Sequence, residues 1–499
     1  MNKQGYIPKD KRKTILFMAD DLRLPSGIGN MTKELVLGSA HVYNYVHVAG
    51  GVNHPEIGKI LDISADVAKE TGVSDASVIM YPYNGYGDAD LVRLIIDRHK
   101  IDAIVHFTDP RYWTWLYHIS AEVRQKVPIF YYHIWDDIPA PHYNKPYYES
   151  CDLLMGISKQ SVNISHIVLD EYIELFKVEE GDKSETISQP IPKTCYIPHG
   201  INEKYYFPVE KTNKDLIDFK TKLFRGEDVE FALLYNNRNI RRKMTSDIIL
   251  AYKLFYDKLG AEKASKTRLV LHTQVVDEHG TDLHAVIEAI CPDLENNIIF
   301  TGSRLSPAEM NLLYNSCDVA INIASNEGWG LSSTEAMITA TPIINNVTGG
   351  LQDQMRFEDE EGKWIDFNED FGSNHAGKYT KHGKWAKAVF PAAINIQGSV
   401  PTPYIFDDRC DVRDVAKAIM EWYETPSEER EACGLAGREW ALSDEANFTA
   451  EKMANSYIKA TQLILENWKP IPRYKLYSVN DHIKRQQQRK TGIAISYDK

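Results

Sequence analysis

The sequence predicts an α/β protein of two doubly wound domains that face a common cleft, with helices closing the chain. Three observations carry this reading. Short β-rich runs alternate with amphipathic helical patterns from residue 14 onward, the alternation pauses near residue 200 and restarts at 230, and 499 residues exceed what one hydrophobic core usually serves.

The first series of strands reads TILFMA (14–19), YNYVHVA (43–49), SVIMY (77–81), DAIVHF (102–107), VPIFYYH (127–133), DLLMGIS (152–158) and TCYIP (194–198). Between them lie segments such as LVRLIIDRH, in which Leu91, Leu94 and Ile95 follow an acidic start at Asp88 and Asp90. Strand, helix, strand at this spacing implies a parallel sheet covered on both faces. After PHGINEKYYFP and a Lys-rich helix around 211–225, a second series runs EFALLYN (230–236), TRLVLHT (267–273), NNIIFTG (296–302), DVAINIA (318–324) and TPIINN (341–346). Residues 1–205 and 206–410 are therefore expected as the two domains. Within the second, 356–404 reads as a long insertion with little regular structure, a lid or flap by its length. Helices over 411–424, 427–441 and 444–467 should follow, the last crossing back to the first domain. Residues 469–499 form a basic tail containing KRQQQRK.

A net charge of −13 gives no global attraction for nucleic acid or anionic membrane. The six cysteines (Cys151, Cys195, Cys291, Cys317, Cys410 and Cys433) include no C-x-x-C pair, which disfavours a zinc site and a disulfide scaffold and fits a reducing cytosol. The run TILFMA is too short for a signal-peptide core, and nothing approaches the roughly 18 apolar residues of a membrane span. The expectation is a cytoplasmic protein without a transmembrane segment; peripheral membrane contact stays open.

In a fold of this kind the ligand site lies at the carboxyl ends of the strands. The first strand runs into DDLRLPSGIGNMTKEL, where Gly27 and Gly29 permit a tight loop and free amides at the following helix start suit a phosphate; a turn needed only for packing is the competing reading. A nicotinamide dinucleotide site would want an acidic residue at the end of the second strand, which instead reads VHVAGGVN, so hydride transfer loses ground. After the first strand of the second domain, NNRNIRRKMTSD places Arg238, Arg241, Arg242 and Lys243 within six positions. A diphosphate is the natural counter-ion for such a cluster, and Arg238 and Lys243, which flank the turn, are its candidates; Arg241 and Arg242 read as a solvated basic turn. No D-x-D metal ligand pair stands out.

The stretch SNEGWGLSSTEAM sets Glu327 and Glu335 around a Gly-Trp-Gly turn. Ser332 to Glu335 has the form of a capping box, which would account for Glu335 locally. Glu327 has no such local role and would be free to accept hydrogen bonds from vicinal hydroxyls, while the Gly328 to Ser333 amides would offer positive dipole ends to a phosphate.

Together these segments resemble glycosyltransferase family 4, retaining nucleotide-sugar transferases of the two-domain GT-B fold. The likeness runs from Cys195 to Gly350 through YIPHGINEKYYFP, Arg238 with Lys243, LSPAEMNLLYNSCDVAINIA and, most specifically, EGWGLSSTEAMITATPIINNVTGG. The first half matches more loosely, through the glycine loop, His133 in YYHIWDD and MGISKQSVN. The resemblance implies that Glu327 binds donor-sugar hydroxyls and that backbone amides of Trp329, Gly330 and Leu331 line sugar and phosphate. It implies that Glu335 holds the ribose, that Arg238 and Lys243 neutralise the diphosphate, that Gly29 approaches it, and that His133 contacts the sugar. Gly302, Arg304 and Leu305 would lie against the nucleobase. No cofactor or metal is implied beyond a nucleotide-diphosphate sugar as donor, since the cations can take the leaving-group charge. Departures are Met244 where the family usually has Gly, His199 where Asn is more usual, and the insertion.

Three functions stay compatible. One is transfer to a saccharide, lipid-linked or small-molecule hydroxyl. A second is transfer to hydroxymethylated bases in DNA, drawing on the basic tail and on Lys378, Tyr379, Lys381, Lys384, Trp385 and Lys387, against the net acidity. The third is an epimerase or an inactive sugar-nucleotide binding protein of the same fold.

Overall fold

A computed structural model of the chain describes residues 5–169, 193–302, 304–368 and 371–471. The part of the basic tail from residue 472 on, KRQQQRK included, lies outside them.

The first sheet contains β1 (Lys13–Asp20), β2 (Tyr43–Gly50), β3 (Leu61–Asp62), β4 (Val78–Pro82), β5 (Ala103–Phe107), β6 (Ile129–His133), β7 (Leu153–Gly156) and β8 (Thr194–Tyr196), in the order β3-β4-β2-β1-β5-β6-β7-β8. All neighbours are parallel except the short edge strand β3. The central strand β1 pairs on both sides, Lys13 opposite Tyr43 and Ile15 opposite Ala103, and Ile15 to Asp20 are all buried, as expected where helices cover both faces.

The second sheet contains β9 (Phe231–Asn236), β10 (Thr267–His272), β11 (Ile298–Phe300), β12 (Val319–Asn322), β13 (Ile343–Asn346) and β14 (Ala386–Val389), in the all-parallel order β11-β10-β9-β12-β13-β14. The strand order reverses between β1 and β5 in one sheet and between β9 and β12 in the other, which is where such folds bind ligands.

The insertion departs from expectation. It supplies β14, pairing Ile343 with Ala386, and then a hairpin of β15 (Pro391–Ser399) and β16 (Thr402–Cys410). The sequence concealed this because a four-residue edge strand is too short to show a period and sits among Gly, Asn and Lys residues. The expected helix over 444–467 starts at Ala450, where the Thr449 hydroxyl caps the amide of Lys452 at 3.2 Å.

That helix, Ala450–Asn467, packs on helix Gly27–Ser39 of the first domain: a Cβ on Gly38 would collide with the Ala454 methyl, and Tyr43 and Thr461 share a hydrogen bond of 2.8 Å. Trp329, Phe448, Met453 and Tyr457 join one hydrophobic cluster with β1 and β2 side chains, so apolar burial ties the final helix to both sheets. Further ties are the Lys159 amide to Asp353 (2.9 Å) and the Tyr196 hydroxyl to the same carboxylate (3.0 Å).

Candidate active site

The loops at the carboxyl ends of β1, β6, β9, β12 and β13 converge. At β1, Ser26 caps helix Gly27–Ser39: its hydroxyl accepts from the Gly29 amide (2.9 Å) and donates to Asp20 (2.6 Å). The Gly29 amide is thus engaged, and a Cβ there would stand 2.6 Å from the Leu24 carbonyl oxygen. Gly27 faces the second domain, where a Cβ would stand 3.2 Å from Leu331 Cδ1. The two helix starts expected to bracket a phosphate therefore meet across the cleft.

The residues around Glu327 form the centre. Lys243 Nζ donates to Glu327 Oε2, both side chains being nearly enclosed at 9% and 10% exposure. Arg242 donates to the Asn326 carbonyl (2.7 Å) and lies 3.5 Å from the same Glu327 oxygen. Burial alone would raise the Glu327 pKa, but Lys243 and Arg242 outweigh it and hold the carboxyl below its usual range. Burial pushes Lys243 down to about 8, with Glu327 opposing.

Arg242, expected in a solvated turn, is instead part of this centre. Arg238 forms a two-pronged ion pair with Asp277 (2.7 and 3.1 Å), its side chain 56% exposed. Arg241 pairs with Asp407 at 2.9 Å. The local reason is the single 3-10 turn Arg241–Lys243, closed by Met244 in the left-handed region (φ 53°). Met244 stands where the resembled family usually has glycine, and the turn adopts the conformation that a glycine would favour.

The expected capping box is absent. Helix Leu331–Ile338 begins after Gly330 (φ 88°), with no side-chain cap. The helix starts at Leu331, so Ser332 lies inside its first turn instead of at the cap, where its hydroxyl accepts from the Asn237 side-chain amide (3.3 Å); a Cβ on Gly330 would stand 2.5 Å from Leu351. The motif occurs instead at Ser306 and Glu309. Among the described residues no hydrogen bond engages the amides of Trp329, Gly330, Leu331 or Ser332, which leaves a run of donors at a helix start. The Trp329 side chain is buried against Phe448 and bonds Thr334 (2.9 Å), so its part in any site is its backbone.

Freed from capping, Glu335 takes the Tyr314 hydroxyl (2.6 Å) and the Asn236 amide (3.3 Å) on one oxygen. Burial raises its pKa to about 7 although Tyr314 and Tyr206 favour the carboxylate. Gly302 and Arg304 are exposed beyond β11, and Leu305 is half-buried against the main core. His133 is fully buried between Tyr131 and Tyr148, neither ring nitrogen has a hydrogen-bond partner among the described residues, and burial pushes its pKa down to about 3.

Sequence reasoning did not single out Asp136 and Asp137, although YYHIWDD was noted. They lie on a loop held between the domains: a Cβ on Gly328 would stand 3.0 Å from the Ile134 carbonyl oxygen, and Phe406 donates to the Ile138 carbonyl (2.7 Å). Burial raises both carboxyl pKa values, with Arg242 opposing. The paired Asp-Asp was the available signal. Of the lysine and aromatic stretch, Lys378, Lys381 and Lys384 are exposed, but Trp385 is buried and stacked on Trp440 with centroids 5.1 Å apart. Among the described residues no helix is long and apolar enough to cross a membrane.

A family profile described as "Glycosyl transferases group 1" matches residues 251–370, a span that contains Glu327 and Glu335. The alpha-monoglucosyldiacylglycerol synthase of Acholeplasma laidlawii is 26% identical over 148 residues, which are 30% of this chain and 34% of that relative; the chain thus matches about a third of its length. Among solved structures, Anabaena Alr3699/HepE in complex with UDP and glucose superimposes with a TM-score of 0.59 at 13% identity, covering 91% of this chain and all of that one. Sucrose-phosphate synthase from Thermosynechococcus elongatus gives 0.62 at 14% identity, with 91% and 100% coverage. The fold is GT-B.

Proposed function

We propose that the protein is a retaining glycosyltransferase that moves a sugar from a nucleotide-diphosphate sugar to a hydroxyl of a saccharide, lipid-linked or small-molecule acceptor. The observation that carries this reading is the buried Lys243–Glu327 pair, flanked by Arg242, beside the open amides of residues 329–332. A carboxylate next to two cations and a helix start has the complement of a sugar diphosphate: acceptors for hydroxyls on one side, positive charge for phosphate on the other. The group 1 profile and the UDP and glucose in the Anabaena structure support it.

In this mechanism Glu327 receives sugar hydroxyls, and Glu335, in its ionised form, receives those of the ribose. Lys243 and Arg242 stabilise the charge that develops on the departing diphosphate, with Arg238 at the rim, so that transfer proceeds without a metal ion. The acceptor hydroxyl attacks from the side of the leaving group: the bond from the sugar carbon to the phosphate oxygen breaks, the bond to the acceptor oxygen forms, and the acceptor proton passes to the phosphate. His133, neutral at pH 7, positions the sugar by hydrogen bonding and does not act as a base. The Ser26 cap leaves Gly29 to permit close approach of the chain, while Gly302, Arg304 and Leu305 border the base.

A thermal-shift panel of nucleoside diphosphates and nucleotide sugars tests this, followed by transfer or hydrolysis assays with the stabilising donor. At least one nucleoside diphosphate should raise Tm. No shift with any of them, together with no turnover, refutes the proposal.

A further inference from the structure

The hairpin joins the two domains. One edge of β16 pairs with β15; along the other, Phe406 donates to Ile138 of the first domain (2.7 Å) and Asp408 donates to the Ser325 carbonyl (2.8 Å). Further contacts fix the hairpin to the first domain: Tyr143 donates to the Tyr404 carbonyl (3.3 Å), their rings lie 5.1 Å apart, and Arg111 bonds Thr402. Between these two attachments sits Asp407, only 3% exposed. One of its oxygens accepts from the Ser325 hydroxyl (3.1 Å) and the Asn326 side-chain amide (2.9 Å), the other from Arg241 (2.9 Å). Asn326 is therefore held by its side chain through Asp407 and by its carbonyl through Arg242, immediately before Glu327.

We propose that Asp407 is a positioning residue that holds the Ser325–Glu327 turn in its donor-facing conformation, and that the hairpin makes this hold depend on the placement of the first domain. The proposal rests on the reading of Glu327 as a donor contact. The Glu327 carbonyl accepts from the Gly350 amide (2.9 Å) and Gly330 packs against Leu351; the side-chain anchors on the near side of the turn, at Ser325 and Asn326, both run to Asp407. A displacement of about 1 Å at the Glu327 carboxylate costs on the order of 100-fold in rate.

Two readouts test it on the full chain. Hydrogen exchange is measured over residues 323–331 and, as internal control, over β9 and β10, in wild type, Asp407→Asn, Asp407→Ala and the pair Tyr143→Phe with Thr402→Val, which loosens the hairpin from the first domain without touching Asp407. Exchange over 323–331 should rise about tenfold in Asp407→Ala and in the pair, with the control strands unchanged. In transfer assays kcat should fall in the order wild type, Asn, Ala, reaching about 100-fold, while nucleoside-diphosphate affinity stays within about threefold. Unchanged exchange in Asp407→Ala, an equal rise in the control strands, or unchanged kcat beside raised exchange overturns the proposal. If the wild type transfers no sugar, the proposed function fails, and the exchange result alone decides on Asp407.

Discussion

Replacing Glu327 by glutamine removes the counter-ion of a buried lysine while keeping the shape of the side chain. If Lys243 kept its charge, the uncompensated ion would cost about 3–5 kcal/mol. The lysine has a cheaper course. Its pKa is already about 8, pushed down by burial, and Glu327 is among the groups holding it up; without that carboxylate it falls further. At pH 7 wild-type Lys243 lies below its pKa, so giving up the proton limits its share of the loss to about 1–2 kcal/mol, and to less at pH 8. The sign follows from proton counting. The folded pKa lies below the ordinary 10.5 of an exposed lysine, so the unfolded chain binds the extra proton and stability rises with pH across the window between them; the substitution extends that window downward. Thermal unfolding of wild type and Glu327→Gln at pH 7, 7.5 and 8 should show a Tm gap that narrows as pH rises. Transfer rates on the same preparations should fall about 10- to 100-fold, the worth of a hydrogen bond to a charged group. A gap that stays constant or widens refutes the lysine argument, and full turnover removes Glu327 from the donor site.

Glu335, with a pKa near 7, is a stronger acceptor for ribose hydroxyls when ionised, so calorimetric affinity for the nucleoside diphosphate should strengthen from pH 6 to 8. Glu335→Gln should flatten that profile and weaken binding about tenfold. Gly330→Ala forces a side chain into a left-handed turn and against Leu351, so the denaturation midpoint should drop by an amount corresponding to about 1–3 kcal/mol. Lys243→Met should weaken nucleoside-diphosphate binding at least tenfold, and wild-type transfer should proceed undiminished in excess chelator.

Much of the fold was legible because parallel strands buried on both faces appear as short apolar runs such as TILFMA and EFALLYN, and their spacing leaves room for one helix each. Glu327 was legible because no local role explained it. Its neighbours were less so. In NNRNIRRK four cations lie within six positions, and which of them turns inward depends on a 3-10 turn closed by a left-handed methionine, a backbone state that the residue names do not disclose. The capping-box pattern around Ser332 was misleading for the same reason, since the helix starts at Leu331 and places Ser332 inside its first turn.

The sequence by itself determined the two parallel sheets, the glycine turns at their carboxyl ends and the glutamates beside them, because burial periodicity and turn chemistry are local properties. Tertiary structure alone decided that Arg242 joins Lys243 at Glu327, that Asp136 and Asp137 face them from the first domain, and that Asp407 braces the turn from 80 positions further along the chain. The bonds of Arg242, Lys243 and Asp407 join distant segments where water is excluded, and only the closed arrangement of sheets and hairpin brings these groups within hydrogen-bonding distance.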